Sequence, residues 1–80
     1  MTEMIEDTIQ EMTIEWATYL LDEPDVTLED NFVDCGGHSI LALRMNRLAK
    51  EQWGTEYNLA VLLESDLAAA ADDLASRLAR

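Results

Sequence analysis

The sequence has 80 residues, enough for one small domain with a single core and too few for a second domain or a deep cofactor pocket. Apolar residues make up 49% of it, with only three Gly and one Pro to interrupt regular structure, which excludes a disordered tail and fits a folded helical module. The formal net charge is −12, and residues 1–34 hold eleven acids and no Lys or Arg, a surface that repels nucleic acid and anionic membrane and leaves proteins as the expected partners.

Over residues 3–22 the apolar side chains Ile5, Ile9, Met12, Trp16 and Leu20 recur at steps of four and three with acids between them, which predicts a long amphipathic first helix. Pro24 cannot continue it and disfavours helix at the residue before it. A loop over residues 23–38 follows, in which Val26, Leu28 and Phe32 are expected to tuck into the core. A second helix over about 39–53 is bracketed by Gly36 and Gly37 before it and by Gly54, the expected left-handed cap, after it. Tyr57 and Leu59 read as core anchors, and a short third helix fits about residues 60–64. Ser65 or Asp66 can cap a last helix over about 66–79, where Leu67, Ala70, Ala71, Leu74, Ala75 and Leu78 form one stripe and Arg77 and Arg80 lie at its negative end. The expected fold is all-α: a small four-helix bundle, three main helices plus one short, in a single domain over 1–80.

Advancing about 100° per residue from Ile40 places Leu41, Met45, Leu48 and Ala49 on one side of the second helix as its core face. Ile40 and Leu43 fall on the other side among Arg44, Arg47 and Lys50, so three of the five basic residues surround a small apolar patch. That pattern predicts a docking surface for another protein.

At Cys35-Gly36-Gly37-His38-Ser39 the two glycines allow a sharp turn and close approach of a large group, and the helix start beyond them presents unpaired N–H groups and a positive dipole end. A serine there can carry a phosphodiester pointing away from the domain. It can equally be an ordinary N-cap, although the partner Glu or Gln of a capping box is missing, since residue 42 is Ala42.

The run Asp30-Asn31-Phe32-Val33-Asp34-Cys35-Gly36-Gly37-His38-Ser39-Ile40 resembles the attachment motif of the peptidyl carrier proteins, or thiolation domains, of nonribosomal peptide synthetases, within the acyl carrier protein superfamily. The likeness extends to Trp53-Gly54-Thr55-Glu56-Tyr57-Asn58-Leu59, similar to the family's loop after its second helix, and to Val61-Leu62-Leu63-Glu64, similar to its short third helix. Cys35 replaces the family's usual leucine, Val33 a common aromatic, Asn58 a common proline, and Ser65-Asp66 a Pro-Thr start.

The resemblance implies an acyl-carrier-like fold and a 4'-phosphopantetheine arm, taken from coenzyme A by a phosphopantetheinyl transferase and joined to Ser39, with Gly36, Gly37 and His38 forming the attachment loop. It further implies a thioester-bound aminoacyl or peptidyl cargo, presented to adenylation and to condensation or tailoring enzymes in antibiotic or related natural-product biosynthesis. Ile40, Leu43, Arg44 and Arg47 would lie on the face those enzymes recognise, in agreement with the helical wheel. The carrier itself would be non-catalytic, cytoplasmic and monomeric, and the start at Met1 fits a free-standing protein, with an excised domain as the alternative of the same appearance.

Other classes fit less well. Ser39 and His38 as a hydrolytic pair would need an imidazole placed by an adjacent residue, with no second histidine and little wall for a pocket. No metal site is expected, because Asp30 and Asp34 lack the ligand spacing of a calcium loop and one Cys with one His cannot close a zinc site. No apolar run exceeds five residues, which argues against a membrane span, and the single Cys35 reads as a small buried hydrophobe in a reducing compartment. The alternative within carriers is the acyl carrier of a polyketide or fatty-acid pathway, where Asp-Ser is more usual and the second helix is acidic. A more distant one is an acidic helical adaptor with no covalent arm, which leaves the glycine-serine run unexplained.

Overall fold

In the computed structural model, which describes the backbone of residues 2–78 and the side chains of residues 7–78, four helices follow one another: α1 (Thr2–Leu21), α2 (Ser39–Trp53), α3 (Leu59–Glu64) and α4 (Leu67–Leu78). The bounds lie within a residue or so of those predicted from periodicity. The Ile5 side chain, Arg80 and the expected end of the last helix at residue 79 lie outside the described residues.

Each helix end has a local cause. α1 stops where Asp22 turns left-handed at φ 55°, and Glu23 N–H returns to Thr18 O at 3.3 Å, so the helix closes on an αL residue before Pro24 is reached. α2 ends on Gly54 at φ 75°, whose N–H donates to Lys50 O. Asn58 caps α3 by accepting from Val61 N–H, and Asp66 caps α4 by accepting from Ala69 N–H at 2.8 Å. Two of the departures from the family pattern, Asn58 and Asp66, are therefore side-chain caps doing the work of a helix start.

α1 packs chiefly on α4 and also on α2, and α3 bridges α2 and α4. Ile9, Phe32, Met45, Leu62, Leu67 and Leu74 fill the centre, and Ala17, Ala42, Ala49, Ala70 and Ala71 let the helix axes approach closely around them. Phe32 and Val26 are buried and Leu28 packs against them half-buried, so the long loop is held by its own side chains. Trp16 and Trp53 meet at a centroid distance of 5.0 Å, tying the last turn of α2 to α1.

Three expectations are corrected. The buried face of α2 is Ala42, Met45, Asn46 and Ala49; Leu41 and Leu48 sit only half-buried on its flank, because the polar Asn46 turns inward and rotates the stripe. Asn46 does so because its amide donates to Tyr57 O at 3.2 Å and accepts from Tyr57 N–H at 2.8 Å. In α1 the residue between Ile9 and Ala17 on the buried face is Thr13, whose hydroxyl bonds Ile9 O and meets Tyr57 Oη, each at 2.6 Å. Tyr57 is thus the anchor expected of it, whereas Leu59 is exposed at the first position of α3.

Candidate functional site

The loop that leads into α2 is built on Asn31. Its Oδ1 accepts from Val33 N–H at 2.8 Å and Asp34 N–H at 3.0 Å, its Nδ2 donates to Ser65 O at 2.9 Å, and its backbone pairs with Asp66. One residue earlier, Asp30 O accepts Leu67 N–H, and Leu28 O accepts Ala68 N–H. The first turn of α4, whose N–H groups have no acceptor within their own helix, is satisfied by this loop. Asn31 lay inside the motif but its role was not recognised from the sequence; the available signal was an Asx turn, an Asn two residues before the N–H it receives.

From this anchor the chain turns through two glycines with different requirements. Gly36 sits at φ 101°, a left-handed conformation that side chains disfavour, with its N–H on Val33 O. Gly37 is buried against the Phe32 ring: a Cβ there would stand 2.4 Å from Phe32 Cδ2 and 2.7 Å from Phe32 O. Its N–H donates to Phe32 O at 2.9 Å. The core phenylalanine is therefore the platform on which the turn rests.

His38 then occupies the cap position of α2, extended at φ −152° and ψ 179°, and gives no side-chain hydrogen bond to the helix. The N-cap reading of Ser39 is corrected by this placement. Ser39 is the first residue inside the helix, exposed, and its hydroxyl enters no hydrogen bond among the described residues. The first-turn N–H groups are likewise left without a side-chain acceptor at the cap. An exposed hydroxyl and a row of free donors at the positive end of a helix suit a covalently attached phosphate.

The outer face of α2 lies directly beyond. Ile40 is 62% and Leu43 57% exposed, and Arg44, Arg47 and Lys50 are exposed around them; Arg47 pairs with Glu51 across one turn at 3.6 Å. Such exposed pairs contribute little to stability, so the cations remain available to a partner. Ser39, Ile40, Leu43, Arg44 and Arg47 are thus brought onto one contiguous surface.

Cys35 is half-buried rather than fully buried. Burial first, then the carboxylates of Asp30, Glu23 and Asp34, push its thiol pKa up, so the thiolate is disfavoured.

A family model described as phosphopantetheine attachment site matches residues 7–71, most of the chain. No curated protein and no solved structure matches the sequence.

Proposed function

The chain belongs to the phosphopantetheine attachment-site family, and from that premise we propose that Ser39 is the attachment residue and that the domain is a peptidyl carrier of nonribosomal peptide synthesis. A domain of this family is a carrier bearing covalent 4'-phosphopantetheine, and such domains are in general modified by a transferase rather than catalytic themselves. When bound, the arm supplies a terminal thiol that holds an acyl group as a thioester.

The observation that carries the assignment to Ser39 is its position: exposed, first in α2, immediately after a glycine turn seated on Phe32. The residues fit the group. The exposed hydroxyl would give its proton to a base of the transferase as its oxygen bonds the arm's phosphorus, the phosphoanhydride bond of coenzyme A would break with adenosine 3',5'-bisphosphate leaving, and the first-turn N–H groups of Ser39 and Ile40 would lie near the charge of the phosphodiester formed. Gly36, whose Cβ position faces open space, leaves the approach free of a side chain, Gly37 seats the turn on Phe32, and His38, exposed at the cap, is positioned to meet the transferase.

The peptidyl type is supported by Gly37-His38-Ser39 and by the cationic rim of α2, where Arg44, Arg47 and Lys50 surround Ile40 and Leu43. Adenylation and condensation or tailoring enzymes would read this face. No helix among the described residues is long and apolar enough to cross a membrane, and the proposed setting is the cytoplasm, with the domain acting as a monomer.

Incubation with coenzyme A, magnesium and a broad-specificity phosphopantetheinyl transferase, followed by intact-mass measurement, tests the attachment. A phosphopantetheine mass gain is expected for the wild type and none for Ser39→Ala with unchanged circular dichroism; an equal gain in both overturns the assignment. The type is tested on the loaded protein: aminoacylation by an adenylation enzyme supports a peptidyl carrier, and exclusive acceptance of malonyl groups from an acyltransferase places it in polyketide or fatty-acid synthesis.

A further inference from the structure

The carrier reading uses the end of the long loop and the outer face of α2, and leaves a concave feature among the described residues unassigned. Between α1 and the loop lies an open groove of about 360 Å³ lined by Asp7, Gln10, Glu11, Ile14 and Leu28. The spacing of the four α1 residues puts them on one face of the helix. Ile14 and Leu28 are half-buried against the core and make an apolar floor, Gln10 is half-buried beside them, and Asp7 and Glu11 stand exposed on the rim. The ion pairs among the described residues are Arg47–Glu51 and Arg77–Asp73, so no described cation neutralises the rim. The cause lies in the sequence, since residues 1–34 contain no Lys or Arg.

We propose that this groove is a second protein-docking surface, which receives a Lys or Arg side chain of a partner protein, the aliphatic stem lying on Ile14 and Leu28 and the cation between Asp7 and Glu11. Charge and shape select this occupant together. A wholly apolar segment would strip water from two carboxylates without replacing it, and an acidic one would be repelled. A long basic side chain is apolar along its stem and charged at its tip, matching floor and rim at once. The half-buried Gln10 amide can meet the main chain of the same segment. Because the rim is anionic while that of α2 is cationic, the two surfaces select partners of opposite charge and need not compete.

The test is an amide-shift titration of the ¹⁵N-labelled, unmodified full chain. The probe is an acetylated and amidated pentapeptide with one Arg between two Leu, and the control is the matched peptide with norleucine in place of Arg. Saturable shifts at residues 7, 10, 11, 14 and 28 are expected with the Arg peptide and none with the norleucine peptide. The exposed double variant Asp7→Asn/Glu11→Gln should weaken the Arg peptide about fivefold, the combined worth of two exposed charge pairs. Glu29→Gln, outside the groove, should leave the affinity unchanged. Three results would each overturn the proposal. One is no shift at millimolar Arg peptide, or shifts spread evenly over Glu15, Glu23 and Glu29. Another is an equal response to norleucine. The third is concentration-dependent broadening of the groove and α2 signals without peptide, which would make a second copy of this chain the occupant. The titration involves no modification of Ser39, so its failure leaves the attachment reading intact, and the reverse also holds.

Discussion

Replacing Gly37 by alanine adds one methyl group at the point where the turn before Ser39 meets the core, and the structure specifies what that methyl group strikes. The new Cβ would lie 2.4 and 2.5 Å from two ring carbons of Phe32 and 2.7 Å from its carbonyl oxygen. Phe32 is fully buried, so its ring has no room to swing away, and the carbonyl is already fixed by the Gly37 N–H at 2.9 Å. Overpacking of this kind costs about 1–3 kcal/mol, and the backbone atom among the contacts puts the expected cost near the top of that range. An 80-residue domain has roughly 4–12 kcal/mol of stability in all. A loss of about 2–3 kcal/mol corresponds to a fall in Tm of roughly 8–24 °C for a domain of this size. Gly36→Ala is the control: its Cβ meets nothing within 4 Å, and only the left-handed conformation is strained, at roughly 1–2 kcal/mol. Urea titration followed by circular dichroism measures both variants, and the transferase rate on each, read by intact mass, reports how far Ser39 has been displaced. Gly37→Ala is expected to be the less stable and the more slowly modified. A Gly37→Ala protein within about 0.5 kcal/mol of wild type, the level of an ordinary surface substitution, and modified at the wild-type rate would refute the claim that the Phe32 contact positions the turn.

Other perturbations address the core and the outer face of α2. Asn46→Ala removes both side-chain partners of the Tyr57 backbone and leaves a buried N–H and C=O unpaired, so unfolding in urea should show a loss of about 2–3 kcal/mol. Burial, opposed in part by the Thr13 hydrogen bond, pushes the Tyr57 phenol up to about 12 from its ordinary value of 10.0. Below pH 10 the phenol is neutral in both states and its contribution is intact; between about pH 10 and 12 only the unfolded chain ionises, so roughly 2–3 kcal/mol should be lost as pH rises across that window. Tyr57→Phe should lack this part of the alkaline decline, and urea midpoints of the two proteins at pH 9 and above check it. Leu43→Asp, on the exposed face of α2, should lower kcat/KM for loading by the cognate enzyme about tenfold or more while helical content stays the same; an unchanged loading rate would remove α2 from the interface.

What could be read in the sequence were the features that depend on one residue and its neighbours. Apolar periodicity set the helices, because the 3.6-residue repeat is visible without knowing what the face packs against. The stripe of α4, Leu67 through Leu78, is correct in every position for this reason. The inward turns of Thr13 and Asn46 were not legible, since a buried polar residue is specified by a partner distant in sequence, here Tyr57, 44 and 11 residues away. The same hidden contact rotated the face of α2 and left Leu48 on its flank. At the site, the glycines and Ser39 stood out by type, but the difference between capping α2 and occupying its first turn is a single residue of phase, below what a pattern resolves. The exposure of Ile40 and Leu43 was legible because it needed only the wheel.

The contacts of Asn31 explain why so small a domain can serve a long flexible arm. An arm that must reach several active sites contributes no orientation of its own, so whatever orientation the partners recognise has to reside in the protein around its point of attachment. Asn31 joins the turn at Val33 and Asp34 to Ser65 and Asp66 at the start of α4, and Leu28 and Asp30 supply carbonyls that help complete the first turn of that helix. Phe32 passes the constraint on to Gly37, two residues before Ser39. The exposed Ser39 therefore follows a backbone tied down just before it, where the N–H groups of Cys35, Gly36 and Gly37 donate to Asn31, Val33 and Phe32 carbonyls, and the outer face of α2 continues from it. Because the loop completes α4 as well as the approach to α2, a substitution that loosens Asn31 should unsettle the helix and the turn before Ser39 together, although the two are more than twenty residues apart in the chain.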